Sequence, residues 1–408
     1  MIQKRIPSQF EFIALMASLM SIAALAIDAL LPALDLIGID IGITNTANNQ
    51  LLITMMFLGL GTGPLLFGPL SDSLGRKPIV FMGFFVFIIA SIICVKAPNL
   101  EVMIMGRILQ GVGLSAPRTI SIAMVRDLYR GDHMARIMSF ITVVFLLVPI
   151  VAPAMGQMVI DSYNWQAIFY IQLLFTLLVC LWFWKRQPET LEYDKRTPLK
   201  MNLFSRGTRE LFKYPRTIGF TLISGFITGS FLVYLSASQH IFQEQYGLKE
   251  EFPYIFAALA ISIGLATFMN GSLVLRLGME RLVTIALGGY FIFSATYLLL
   301  FFAAPNPPVV VLLVFFALQF FSVGFLFGNL RALAMEPVGH IAGIAAAITG
   351  LISTLMAVPI STFIGRFVSG ARVYPLFIGF TVCAFLSICI LVYLKTYGFR
   401  LKRMRSRN

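Results

Sequence analysis

The chain is 408 residues long, 58% hydrophobic and only 12% charged, with a mean hydropathy of +0.87. Soluble domains carry about a quarter charged residues, so a water-soluble fold is excluded, and the same hydrophobicity excludes a disordered chain. The net charge of +13 does not point to nucleic acid, because it lies in runs beside apolar spans. There Lys and Arg mark the cytoplasmic side and meet anionic lipid head groups.

A helix needs about 20 apolar residues to cross the hydrocarbon of a bilayer. Twelve stretches qualify, centred near Met20, Phe57, Phe87, Gly111, Leu147, Phe175, Thr228, Ile263, Tyr290, Ala317, Thr349 and Leu386. The expected fold is therefore an all-α polytopic membrane protein with 12 transmembrane helices in two pseudo-symmetric six-helix bundles. The first run follows Lys4 and Arg5 and imitates a signal peptide. It is too long for one, contains Asp28 and lacks a small-x-small cleavage site, so it is read as a retained span ending near Pro32.

The basic residues fix an orientation. With both termini in the cytoplasm, that side collects Lys4, Arg5, Arg76, Lys77, Arg126, Arg130, Arg136, nine residues between Lys185 and Arg216, Arg276, Arg281, Arg331 and six in the tail. The outer side has only Lys96, Lys249, Arg366 and Arg372, while Arg107 and Arg118 fall inside the fourth span. This imbalance satisfies the positive-inside rule and places the chain in the cell inner membrane.

The one long polar stretch, 185–216, separates an N-terminal bundle (1–184) from a C-terminal bundle (217–396), and a basic tail (397–408) follows. Pro188, Pro198 and Pro215 break any continuous linker helix, leaving room for a short amphipathic segment. Punctuation repeats across the two halves. Gly68 and Gly75 follow the second span, and Gly271 and Gly278 follow the eighth at the same spacing, although Leu275 stands where Asp72 stands. Cys94, Cys180, Cys383 and Cys389 lie in apolar runs as packing residues, and three scattered histidines form no metal set.

Three stretches carry a family resemblance. After the second span the chain reads Gly68-Pro-Leu-Ser-Asp72-Ser-Leu-Gly75-Arg76-Lys77-Pro-Ile-Val80. This resembles the G-x-L-x-D-x-x-G-R-[RK]-x-x-[LIV] loop of the major facilitator superfamily, with every defining position filled. Arg107-Ile-Leu-Gln110-Gly111 resembles that superfamily's R-x-x-Q-G motif. Ala152-Pro153-Ala-Met-Gly156-Gln157 resembles the antiporter signature G-P-x-x-G-G, with two departures. Within the superfamily, Asp28-Ala-Leu-Leu-Pro32-Ala-Leu34, Val125-Arg126-Asp127 and Trp165-Gln-Ala-Ile-Phe169 are similar to segments of the Bcr/CflA-type drug:proton antiporters.

The resemblance implies a secondary transporter that rocks about a midplane site. Gly68, Asp72, Gly75, Arg76 and Lys77 would form a conformational switch loop. Its glycines would permit a tight turn and close helix approach, and Asp72 would pair with nearby cations. Pro149, Pro153 and Gly156 would form a bend that seals or gates the fifth span.

Buried charges add a reading of their own. An unpaired charge in lipid costs about 2.5–3.5 kcal/mol even on lenient scales, so Asp28, Arg107 and Arg118 need a reason. At 1.5 Å per residue, Asp28 and Arg107 stand at similar depth below the outer boundary. They are expected to face each other across the central cavity, directly or through water, as the proton-coupling pair. Arg118 lies eleven residues after Arg107, about 20° beyond three turns, so both would share a face and make the cavity wall positive. Alternatively Arg118 snorkels to the head groups. Glu11, Glu101, Asp161 and Glu336 are read as solvated end charges. Gln110, Tyr234, Gln239 and Gln319 are further candidates for the substrate cavity, and polar residues around Thr221, Ser236, Asn270, Ser322 and Asn329 serve helix contacts equally well.

No phosphate loop occurs and no catalytic cluster is present, so an ATP-driven pump or an enzyme is not expected. The expected function is proton-coupled export of small molecules by antiport, with a proton symporter importing an anionic metabolite as the alternative. No cofactor is expected; the proton gradient is the energy source. The partners are protons, a small-molecule substrate and the bilayer, and the chain is expected to act as a monomer.

Overall fold

A computed structural model of the chain describes residues 8–196, 203–302, 305–368 and 372–405. Lys4, Arg5, Pro198, Lys200 and Arg407, used above for orientation and linker, lie outside the described residues. All the regular elements among the described residues are helices, and no strand occurs among those residues. Fourteen α-helices follow in order: α1 (Gln9–Asp28), α2 (Leu34–Asp40), α3 (Leu51–Leu74), α4 (Arg76–Val95), α5 (Leu100–Leu128), α6 (Gly131–Ser162), α7 (Gln166–Arg186), α8 (Leu203–Leu211), α9 (Pro215–Gln239), α10 (Phe252–Leu277), α11 (Met279–Leu300), α12 (Val309–Met335), α13 (Ala342–Val368) and α14 (Tyr374–Arg405). Among the described residues, twelve segments are long and apolar enough to cross a membrane, and each contains one of the expected centres.

The first span differs from the expectation. It does not end near Pro32 but continues to Asp40, after an interruption at Ala29–Leu30 and a 3-10 turn over Leu31–Ala33. Pro32 explains the interruption, since it offers no N–H to the carbonyl four residues earlier, that of Asp28. At the other end, Ser8 caps α1 by accepting from the Glu11 N–H at 3.2 Å. Asn99 does the same for α5, accepting from the Val102 N–H at 3.0 Å.

The chain divides into two compact units, residues 1–200 with 250–257, and residues 201–249 with 258–408. In the first unit α5 lies between α3 and α4 and also meets α1, while α6 packs on α1. A Cβ on Gly111 would collide with the Met56 carbonyl oxygen of α3, so the glycine of the fourth-span motif lets two backbones touch. In the second unit α9 packs against α12, α13 and α14. Its interior is aromatic: Tyr234 stands 4.4 Å from Phe320 and 5.0 Å from Phe316 between ring centroids, and Tyr297 stacks on Phe377 at 3.7 Å. The short helix α8 seats Leu211 among Val338, Ala345 and Ile348 of this unit.

The repeat seen in the sequence has a structural counterpart. Gly75 (φ 107°) is the single residue between α3 and α4, and Gly278 (φ 77°) is the single residue between α10 and α11. A reversal with one connecting residue at positive φ favours glycine at both places.

Candidate functional site

The interrupted first helix organises one part of the first unit. Asp28 is the last residue of α1, 5% exposed, and its carboxylate forms no hydrogen bond or ion pair with any described residue. The direct form of the expected pairing with Arg107 is therefore not formed. Arg107 is fully buried and spends its guanidinium on neutral acceptors. Nε donates to the Leu52 carbonyl at 2.8 Å, Nη1 to Gln110 Oε1 at 2.7 Å, and both Nη atoms to the Ala26 carbonyl at 3.2 Å.

The reason is local. At the interruption the Leu30 N–H bonds to the Ile27 carbonyl instead of reaching Ala26. The Ala26 oxygen thus loses its regular helical donor, and Arg107 replaces it. Arg107 thus meets the helix break through a backbone carbonyl two residues before Asp28, with no direct bond to the carboxylate.

Gln110 is also corrected as a cavity residue. It is fully buried, and its Nε2 donates to Ser91 Oγ at 2.8 Å, which donates to the Phe87 carbonyl at 2.8 Å. A polar chain thus runs from α1 and α3 through α5 to α4. Arg118 is half-buried, whereas Arg107 is fully enclosed.

The antiporter-like stretch meets the same break from the other side. The helix α6 is continuous through Pro149 and Pro153. A Cβ on Gly156 would collide with the Ala29 carbonyl oxygen and stand 3.1 Å from Pro32 Cγ. Gly156 therefore brings α6 against the backbone of α1 one residue after Asp28, which the sequence did not reveal.

The second part is the loop after the second span. Arg76 is buried at 4% exposure and holds two carboxylates. It pairs with Asp72, donates through Nε to Asp127 Oδ2 at 2.9 Å and through Nη1 to Ser71 Oγ at 2.9 Å. Lys77 Nζ donates to the carbonyls of Trp184 and Gln187 at 2.9 and 2.7 Å. Gly75 fits the expectation of a turn with close approach. Gly68 does not, since a Cβ there would have nothing within 4 Å.

Sequence reasoning missed Glu189 and Thr190. Glu189 accepts from the backbone N–H groups of Arg76 and Lys77, each at 2.9 Å, and Thr190 Oγ1 donates to Asp127 Oδ2 at 3.1 Å. A signal was present: a helix that opens Arg-Lys places two cations at the positive end of its dipole and calls for an anion nearby. Glu11 is likewise not a solvated end charge, because Arg186 binds both its oxygens, at 2.5 and 2.6 Å.

The remaining candidates lie in the second unit and are enclosed. Tyr234 belongs to the aromatic interior, and Gln239 donates to Gln243 Oε1 at 2.9 Å. Gln319 is fully buried, and neither of its amide atoms has a hydrogen-bond partner among the described residues. Asn329 and Asn270 join α12 to α10 at 2.6 Å. No group of three or more metal-ligating side chains occurs among the described residues.

Twelve apolar helices, a charge-clustered turn after the second and an interrupted first helix ending in a carboxylate define a class of protein, the helical membrane carriers. The chain belongs to the Major Facilitator Superfamily, whose sequence profile matches residues 16–358. It is 30% identical over 286 residues to a bicyclomycin resistance protein homolog of Haemophilus influenzae, covering 70% of this chain and 72% of that one. It is 28% identical over 272 residues to a chloramphenicol resistance protein of Pseudomonas aeruginosa, covering 65% and 63%. Among solved structures, a D-xylose-proton symporter superposes with a TM-score of 0.74 at 14% identity, covering 93% of this chain and 96% of that one. The human organic anion transporter MFSD10 superposes with a TM-score of 0.64 at 17% identity, covering 94% and 100%. These two likenesses show the fold alone. The chain is a multi-pass membrane transporter of this superfamily.

Proposed function

We propose that the protein exports small molecules across the inner membrane in exchange for protons, with both termini cytoplasmic and Asp28 as the proton site. The observation that carries this reading is the setting of Asp28. A nearly enclosed carboxylate without a partner among the described residues, at the end of a broken helix, suits a group that is charged when water reaches it and protonated when water is shut out. Gly156 and Arg107 supply the support, holding the break from two sides. Export draws further support from relatives named for bicyclomycin and chloramphenicol resistance. Import of an anion is disfavoured, because Arg107 is committed to carbonyl oxygens.

A susceptibility screen of cells with and without the gene tests the reading, with bicyclomycin and chloramphenicol among the compounds. Gene-dependent resistance should vanish on collapse of the proton gradient and on Asp28→Asn substitution. Resistance that survives both would refute it.

A further inference from the structure

The first turn of α4 has an unusual supply of partners. Of its opening N–H groups, those of Arg76 and Lys77 need acceptors and Pro78 has none to offer. The residue at the cap position, Gly75, has no side chain to provide one. The acceptor comes instead from Glu189, in the segment that joins the two halves of the sequence. Its Oε1 accepts from Arg76 and also from the Thr190 and Leu191 N–H groups, both at 3.0 Å, and its Oε2 accepts from Lys77. The carboxylate thus fastens two pieces of backbone more than a hundred residues apart.

The same contact explains Gly75 a second time. A Cβ on Gly75 would stand 2.7 Å from Glu189 Oε2, so a side chain there would expel the carboxylate. Two more bonds reinforce the strap. Thr190 shares Asp127 with Arg76, and Lys77 Nζ holds the Gln187 carbonyl.

We propose that Glu189 is a positioning residue of the switch loop: its carboxylate, docked on the bare face of Gly75, ties the connecting segment to the Arg76 cluster, and release of this strap is a step in the conformational cycle. Any pull on the connecting segment is thereby delivered to the first turn of α4 and to Arg76. Glutamine cannot replace the carboxylate. Its NH2 group would face the Lys77 N–H, donor against donor. Aspartate keeps both acceptor oxygens. The inference rests on membership of a transporter family and not on the proton site, so the behaviour of Asp28 variants leaves it unaffected.

The test uses the full chain in lipid nanodiscs with spin labels at Ser73→Cys and Ser272→Cys, and with the incompletely buried Cys180 and Cys389 replaced by Ala. Pulsed dipolar spectroscopy then reads the distance distribution between the halves without needing a substrate. E189Q should move the main population by about 5 Å or more, the scale of known switching motions, while E189D should restore the wild-type distribution. An E189Q distribution that superimposes on the wild type overturns the proposal, even if hydrogen exchange in the first turn of α4 accelerates, because that would leave Glu189 a local cap only. Should E189Q fail to fold, Thr190→Val removes the bond to Asp127 and leaves the carboxylate. It should produce a smaller shift in the same direction, and no shift would again overturn the proposal.

Discussion

Replacing Arg107 by Met keeps most of the side-chain volume and removes every donor. Three acceptors lose a partner: the Leu52 and Ala26 carbonyls and Gln110 Oε1. Leu52 lies within α3, where its oxygen has a helical donor available, so its loss is mild. Ala26 is different, since Leu30 already bonds elsewhere, and Gln110 Oε1 is left bare inside the bundle. Each buried acceptor left without a donor costs about 1–3 kcal/mol, and relief from enclosing a cation returns part of that. A net loss of about 3 kcal/mol follows. For a folded unit of about 200 residues, each kcal/mol moves the melting temperature by about 2–4 °C, so Arg107→Met should melt ~6–12 °C lower. The assay is thermal unfolding of the purified transporter in detergent, followed by intrinsic fluorescence. Arg107→Lys, with one compact ammonium in place of a fork, should fall between the two. A melting temperature for Arg107→Met within about 2 °C of wild type would refute the claim that this guanidinium repairs the broken helix.

Gly156→Ala should force α6 away from Ala29, costing about 1–3 kcal/mol by overpacking, and should lower transport at least about tenfold at normal membrane abundance. Gly68→Ala is its control, because the added methyl meets open space and should leave folding and abundance unchanged. Full transport by Gly156→Ala would show that α6 does not bear on the Asp28 break. Arg76→Lys cannot span Ser71, Asp72 and Asp127 at once. It should insert normally and lose about tenfold or more in transport rate, measured in reconstituted vesicles, and an unimpaired rate would remove the switch-loop role.

The spans were legible in the sequence because lipid imposes a long, uniform apolar requirement that composition meets openly. The loop after the second span was legible because its residues are contiguous, and the positive φ of Gly75 follows from a one-residue reversal. The partners of those residues were harder to see. Asp28 and Arg107 invited pairing by depth and opposite charge, yet depth along an axis says nothing of which way a side chain turns. What decided the matter was a carbonyl stripped of its helical donor by a break, and a break of that kind is visible only in backbone hydrogen bonds. Glu189 escaped notice for a related reason. It caps a helix across more than a hundred residues, and capping is usually recognised from neighbours in sequence. Gly156 was flagged by resemblance, but its physical duty, contact with the Ala29 carbonyl, appears only when α6 is placed on α1.

The central proposal is that Asp28 carries the coupled proton. The most direct measurement reconstitutes wild-type and Asp28→Asn protein in vesicles containing a trapped pH indicator, imposes a pH gradient, and adds a compound to which the gene confers resistance. The account predicts that wild type moves protons when the compound is added and accumulates it against its own gradient. Asp28→Asn, present in equal amount, should do neither, though it should still let the compound equilibrate. Compound-dependent proton movement by Asp28→Asn at the wild-type rate would contradict the account.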